Sequence, residues 1–367
     1  MTQIFQDGRG WSQHPQCRIR TGPIAEVVDE ELLGPIPTSQ LLLRDSGVDP
    51  EKLDPLRKIL SERAPLIERV VAGGEACKSP EGWQQILQIF AEVGIDRGGL
   101  VVVAGGGSVG DVCAFAASVW HRGVPWIAIP TTLLAMVDAH IGGKTAIHLG
   151  GIKNRIGTFH LPRAVVSDIS MLESLSLQER SMGWVELIKA AWIGDRPLLE
   201  SLEQSAESIA ADRMPRADQI AQAVAVKVAI VEQDPFDQGS RERLNFGHTL
   251  GHALEMLSSP PMPHGEAVAR GMVFAARLAE QLGEAVDGTA VRISHLLQRV
   301  GLATDCNEPH LESILELLQG DKKARAGQIR WVIPRTPGEM VVRPVALDVV
   351  ERVLRLPPLG GIVQPQA

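Results

Sequence analysis

From about Ser39 the hydrophobic positions of the chain alternate between two periods. QLLLRDSGV reads as a strand, PEKLDPLRKILSERA as an amphipathic helix and PLIERVVAGGE as a second strand. GWQQILQIFAEVGI then feeds the fully apolar LVVVAGGGSVGD, and DVCAFAASVWHRG feeds VPWIAIPTT. Short continuous apolar runs between amphipathic helices predict a parallel sheet with helices on both faces, because a strand buried on both sides has no polar side to alternate with. Beyond about Ser170 the apolar positions take helical spacing instead: QERSMGWVELIKAAWIG, RADQIAQAVAVKVAIVEQD, GHTLGHALEM, HGEAVARGMVFAARLAEQL and VRISHLLQRVG. One late run, IRWVIP, reads as a strand. The pattern predicts an α/β parallel-sheet domain over residues 1–170 and a mostly helical domain over residues 171–367, with a site in the cleft between them. The closing GGIVQPQA is expected to fray.

The 367 residues are 44% hydrophobic, enough for two domains with buried cores. No apolar run is long enough to span a bilayer, and MTQIFQDGRGWSQHPQ carries no charged-then-apolar leader, so a cytoplasmic protein without a membrane partner is expected. A formal net charge of -8 speaks against nucleic acid as a partner, since such binding depends on a broad basic face. Cys17, Cys77, Cys113 and Cys306 lie far apart with no CxxC pair, which gives neither a thiolate metal site nor a disulfide framework. Tyrosine is absent, so none serves as acid or base.

Three of the ten histidines, His248, His252 and His264, fall within seventeen residues. On a helix, His248 and His252 share one face and can converge on one ion; His264 follows the breaker run SSPPMPH and opens the next helical segment, from which a loop can return it to the pair. Neutral imidazoles and a carboxylate are the usual ligands of a catalytic zinc with an open position, and helix-start or packing histidines are the competing reading. Glu186 and Lys189, three apart in GWVELIKAAW, fit a simple intrahelical ion pair. Their helix is apolar almost all round, however, and a carboxylate buried there needs a metal or a cation, which makes Glu186 a candidate ligand.

VVVAGGGSVGDV is a strand, a glycine turn and a helix start. Gly105, Gly106, Gly107 and Gly110 let backbone amides approach a diphosphate, although the spacing is not a strict GxGxxG. Thr131 and Thr132 follow the next strand, where their hydroxyls reach the same nucleotide or cap a helix. DAHIGGKTAIHLGGIKNRIGTFH reads as a glycine-rich loop holding Asp138, Lys144, Lys153 and Asn154. Lys144, Lys153, Lys189, Lys227, Arg241 and Lys322 gather in or beside these motifs of an acidic chain, which predicts a pocket for an anion such as phosphate or carboxylate.

In order and at nearly the same spacings, GGGSVGD, RGVPWIAIPTTLLAMVD, GGKT, IKNRIGTFH, VELIK, LNFGHTLGHA, HGEAVARGM and DKK resemble the motifs of the 3-dehydroquinate synthase family, over roughly Gly73 to Lys323. The resemblance implies a sugar phosphate cyclase built from a Rossmann-like NAD-binding α/β domain and a helical metal-binding domain, as in metal-dependent glycerol and alcohol dehydrogenases. It implies metal ligation by Glu186, His248 and His264, and it moves His252 from the metal to the substrate. NAD would be held by Glu75, Lys78, Gly107, Ser108, Gly110, Asp111, Thr131, Thr132, Lys144 and Lys153, and near Ser174. The substrate would meet Asp138, Lys144, Asn154, Lys189, Lys227, Arg241, Asn245, His252 and Lys322. Arg122 corresponds to an arginine that reaches the neighbouring subunit's site, which implies a homodimer.

The reaction so implied is an NAD- and Zn2+-dependent cyclisation, with Co2+ an alternative, of a small anionic sugar acid. 3-Deoxy-D-arabino-heptulosonate 7-phosphate would become 3-dehydroquinate with loss of phosphate, a carbon–oxygen lyase step of the shikimate route to aromatic amino acids. Departures from the family bear on the substrate. Where it typically has DSSVGGKTGIN this chain has DAHIGGKTAIH, with Ala139, His140 and His148 among the changes. Ala190 replaces the usual tyrosine after VIK, and Gly47 stands where asparagine is common. These leave open a cyclitol synthase acting on sedoheptulose 7-phosphate or glucose 6-phosphate; a metal-dependent polyol dehydrogenase of the same architecture is a separate alternative, against which the Glu-His-His set and the cation-rich pocket argue.

Overall fold

A computed structural model of the chain describes residues 2–6, 16–305, 311–320 and 328–357; Cys306, Lys322 and the GGIVQPQA tail lie outside them. Two compact units are present. The first comprises Met1–Ser176 and Pro215–Phe236, the second Leu177–Met214 and Asp237–Ala367.

The first unit holds β1 (Thr2–Gln6), β2 (Gln16–Thr21), β3 (Gln40–Asp45), β4 (Leu66–Val71), β5 (Leu100–Gly105), β6 (Trp126–Pro130), β7 (Lys144–Leu149), β8 (Ile152–Phe159) and β9 (Ala164–Ser167). Seven of these form one sheet in the order β1-β2-β9-β6-β5-β3-β4. All neighbours run parallel except β1, which pairs antiparallel with β2 at the edge. LVVVAG of β5 and WIAIP of β6 are buried at every residue, as strands covered on both faces must be. From β3 the chain steps outward to β4 and then returns to β5 on the other side of β3. The order therefore reverses between β3 and β5, the place where open α/β sheets take ligands beyond the carboxyl ends of their strands. The Ala217–Gln233 helix belongs to this unit and packs on β1, β2 and the Ala135–Ala139 turn.

The segment expected to be a glycine-rich loop is instead an antiparallel hairpin of β7 and β8. Gly150 and Gly151 turn it at φ +59 and +76, a left-handed pair that suits a two-residue hairpin and that glycine adopts without strain.

Among the described residues the second unit is helical apart from one hairpin, β10 (Gln328–Thr336) with β11 (Glu339–Ala346), and β10 is the strand expected at IRWVIP. Its core is the Leu177–Gly194 helix, buried continuously from Gly183 to Ile193. The His264–Gln281 helix packs on it and on the His248–Leu257 helix. No described helix is long and apolar enough to cross a membrane.

Candidate active site

Glu186 is the buried carboxylate of that core helix, only 2% exposed. His248 opens the helix after Gly247, and His264 opens the next after Pro263, so two helix starts bring one imidazole each to the same carboxylate. His248 Nε2 lies 3.5 Å and His264 Nε2 3.6 Å from Glu186 Oε1. One ligand atom from each of the three falls within 4.8 Å of the others. Both rings are fixed through their other nitrogen: His248 Nδ1–H donates to the Phe246 carbonyl at 3.2 Å and His264 Nδ1–H to Glu255 Oε1 at 2.6 Å. A histidine held in this way by Nδ1 turns Nε2 toward a metal. Neither Glu186 oxygen accepts a hydrogen bond of ordinary geometry among the described residues, although both are buried. Its charge is met by Lys189 one turn on, which forms the intrahelical ion pair and leaves Oε1 toward the two imidazoles. A buried carboxylate that pairs with Lys189 through Oε2 and turns Oε1 toward two oriented imidazoles fits a divalent cation with positions left open.

Without a cation, a proton takes its place. Burial opposes charge on His264, but Glu186 and Glu255 outweigh it and lift the imidazole to about 9. His248 is pushed down to about 3, first by burial and then by Lys189, and stays neutral. Burial raises Glu186, yet Lys189 and the two histidines hold it well below the usual carboxylate range.

The spacing of His248 and His252 predicted that these two share the ion, and the geometry gathers a different set. His252 is one turn further, its ring 5.3 Å from that of His248 and 6.5 Å from that of His264, beside the ligand cluster rather than in it. Only two helix starts converging on a third helix bring His264 in, and no local spacing reports that. Glu255 was missed, though it stands on the face of His248 and His252, at i+7 from the first, and is buried. Arg241, 3% exposed, and Asn245 lie on the Ser240–Asn245 turn, which packs against the Leu177–Gly194 helix.

In the first unit, the Gly107–Val119 helix leaves the carboxyl end of β5 with Gly106 as its N-cap, no capping side chain and no acid in its first turn. Its leading amides are thus open to an anion. The glycines are required by packing: a Cβ on Gly107 would meet Ala139 at 2.9 Å, and one on Gly110 would lie 1.9 Å from His140 Nε2. His140, marked in the sequence only as a departure from the family, donates from Nε2 to the Gly106 carbonyl at 3.3 Å, and burial pushes it down to about 4.

A polar network surrounds this helix start. Ser108 donates to Glu75, and Lys78 donates to Asp111 Oδ2 and to Asn154 Oδ1, each at 2.6 Å. Burial lifts Asp111 to about 6 against the pull of Lys78; burial also raises Glu75, but Ser108, Lys78 and His148 bring it below its ordinary value. Lys227 donates to the Asp138 carbonyl at 2.6 Å and to Oδ1 at 2.5 Å, fixing the Ala135–Ala139 turn.

The remaining candidates are more scattered. Thr131 is buried beyond β6, while Thr132 Oγ1 accepts from Ala135 N at 3.2 Å, the capping alternative. Lys144 and Lys153 are exposed on the β7–β8 hairpin. Arg122 closes the Trp120–Arg122 turn at φ +69. Ser174 gives its hydroxyl to Met171 in its own turn at 3.3 Å.

Residues 68–182 match the family model described as 3-dehydroquinate synthase N-terminal, and residues 183–324 the one described as 3-dehydroquinate synthase C-terminal. The 3-dehydroquinate synthase of Dehalococcoides mccartyi is 42% identical over 278 residues, 74% of this chain and 76% of that protein. A solved 2-deoxy-scyllo-inosose synthase, complexed with carbaglucose-6-phosphate, NAD+ and Co2+, has a TM-score of 0.82 at 23% identity over 97% of this chain and 99% of that one. The 2-epi-5-epi-valiolone synthase of Streptomyces hygroscopicus, with NAD+ and Zn2+ bound, has a TM-score of 0.78 at 25% identity, covering 92% and 95%.

Proposed function

The chain belongs to the 3-dehydroquinate synthase family, and we propose that its two clusters of side chains divide that enzyme's work, the first unit holding NAD and the second a divalent metal. The activity is that of a carbon–oxygen lyase: 3-deoxy-D-arabino-heptulosonate 7-phosphate is cyclised to 3-dehydroquinate with release of phosphate. The observation that carries the division is the meeting of Glu186, His248 and His264, each histidine anchored through Nδ1.

NAD fits the first unit on its own geometry. The open amides of Gly107 and Ser108 suit the diphosphate, with Gly110 allowing close packing behind them. The Glu75 carboxylate suits ribose hydroxyls, with Lys78 and Asp111 behind it and Thr131, Thr132, Lys144, Lys153 and Ser174 completing the assignment. Two imidazoles and a carboxylate suit Zn2+, and Co2+ takes the same donors. When bound, NAD would supply a hydride exchange with no net redox change, and a metal held by Glu186, His248 and His264 would supply polarisation of the oxygen being oxidised.

The chain's own groups prepare that chemistry. Lys189 keeps Glu186 ionised, His248 stands neutral, and His264 surrenders its proton as the ion enters. Asp138 holds Lys227 in place from the Ala135–Ala139 turn. Asn154, Lys227, Arg241, Asn245, His252, Lys322 and Lys144 bind the carboxylate and phosphate, and removing one such charge-assisted contact is expected to cost about 1.5–3 kcal/mol. The functional unit we assign is a cytoplasmic homodimer in which Arg122 completes the neighbouring site.

Phosphate release from the seven-carbon substrate, with NAD and zinc supplied and dehydroquinate identified as product, tests the reading. Loss of that release in Glu186→Gln supports it. Turnover of sedoheptulose 7-phosphate or glucose 6-phosphate in its place overturns the substrate assignment.

A further inference from the structure

β7 and β8 do not pair along their whole length. Ile147 faces Ile156 and Leu149 faces Ile152, so His148 alone stands against Lys153, Asn154 and Arg155. A bulge of this kind leaves backbone groups on the longer side without ladder partners. Asn154 sits in it at φ +52, a left-handed conformation uncommon outside glycine, and its backbone N–H is taken by His148 Nδ1 at 3.0 Å. Because Nδ1 accepts, the ring proton is on Nε2, and it is donated to Glu75 Oε1 at 2.9 Å. The main chain runs the same way: His148 N donates to the Lys78 carbonyl at 2.7 Å, and Lys78 Nζ returns to Asn154 Oδ1 at 2.6 Å.

We propose that His148 is a positioning residue of the reaction, setting the bulge that presents Asn154 to the substrate and tying it to the Glu75 carboxylate that holds the cofactor. The proposal rests on the assignment of Asn154 to substrate and Glu75 to NAD made above. An asparagine side-chain oxygen overlies imidazole Nδ1, so it can hold the bulge amide without reaching Glu75. A glutamine side-chain nitrogen overlies Nε2, reaching Glu75 and releasing Asn154. The two substitutions separate the two bonds.

His148→Asn and His148→Gln are compared with the parent enzyme in phosphate release and in NAD titration, with zinc present and thermal melts alongside. His148→Gln is expected to lower kcat about tenfold and to change NAD affinity much less, and His148→Asn to weaken NAD about tenfold and to change kcat much less. An active parent whose variants fall together in both readouts, in step with their melting, or do not change at all, overturns this inference alone. A parent that neither binds NAD nor releases phosphate overturns it together with the functional reading, and that is seen before any variant is compared.

Discussion

Replacing Glu255 by glutamine changes one charge beside the proposed metal site and leaves the three proposed ligands, Glu186, His248 and His264, in place. The Glu255 side chain is 4% exposed and takes the His264 Nδ1–H at 2.6 Å, a charge-assisted bond away from water. Losing such a partner behind a ligating histidine costs about 10–100-fold in metal affinity, or ~1.4–2.7 kcal/mol. The proton on His264 works the other way. Against the effect of burial, Glu186 and Glu255 hold that imidazole at about 9 in the metal-free protein. At pH 7 an entering ion must therefore displace a proton, a penalty of roughly 100-fold that disappears above pH ~9. Glutamine removes the Glu255 share of that lift, and with it part of the penalty. The variant's deficit is thus expected to be small near pH 7 and to open toward its full extent near pH 9. Competition for zinc against a chromophoric chelator, run on both proteins across this range, measures it. A deficit that does not vary with pH would refute the coupling to the His264 proton, and no deficit at high pH would refute the orienting role.

Two further outcomes follow from the same geometry. In the metal-free protein His264 binds its proton more tightly folded than unfolded, so its contribution to stability is fully present below its ordinary 6.5 and is lost as pH rises through about 9; melts of the chelated protein should fall over that window, and melts of the zinc-loaded protein should not follow them. Gly110→Ala would place a Cβ 1.9 Å from His140 Nε2 and is expected to destabilise by about 1–3 kcal/mol and to weaken NAD; denaturant melts should show part of the stability return when His140→Ser is added, and an unperturbed single variant would contradict the close packing.

What could be read from the chain depended on how fully each segment is buried. LVVVAG and WIAIP announce themselves because every residue is inside, whereas β9 is only the four residues AVVS and β8 is exposed along nearly its whole length, so neither has a periodicity to detect. The paired glycines of HLGGIK did mark the β7–β8 turn, but the surrounding lysines and glycines made the segment read as a loop. Glu186 was legible for a physical reason, a carboxylate set in a helix apolar on all sides. The partnership of Glu186 with His264 was not, because it is made by the packing of helices that share no sequence register, and the resemblance to the family supplied it. The contacts of Glu255, His140 and His148 lie further still from the sequence. Each is a single hydrogen bond or pair of bonds to a neighbour distant in the chain or hidden in a bulge.

A single turnover of NAD- and zinc-loaded enzyme with the seven-carbon keto acid phosphate, followed at once by dinucleotide absorbance and by phosphate release, tests most directly that these residues serve a redox-neutral cyclisation. Reduced dinucleotide that rises and returns to its starting level as phosphate is set free is the expected trace. Reduced dinucleotide that accumulates while the phosphate stays on the substrate would contradict it and place the chain's chemistry with the polyol dehydrogenases.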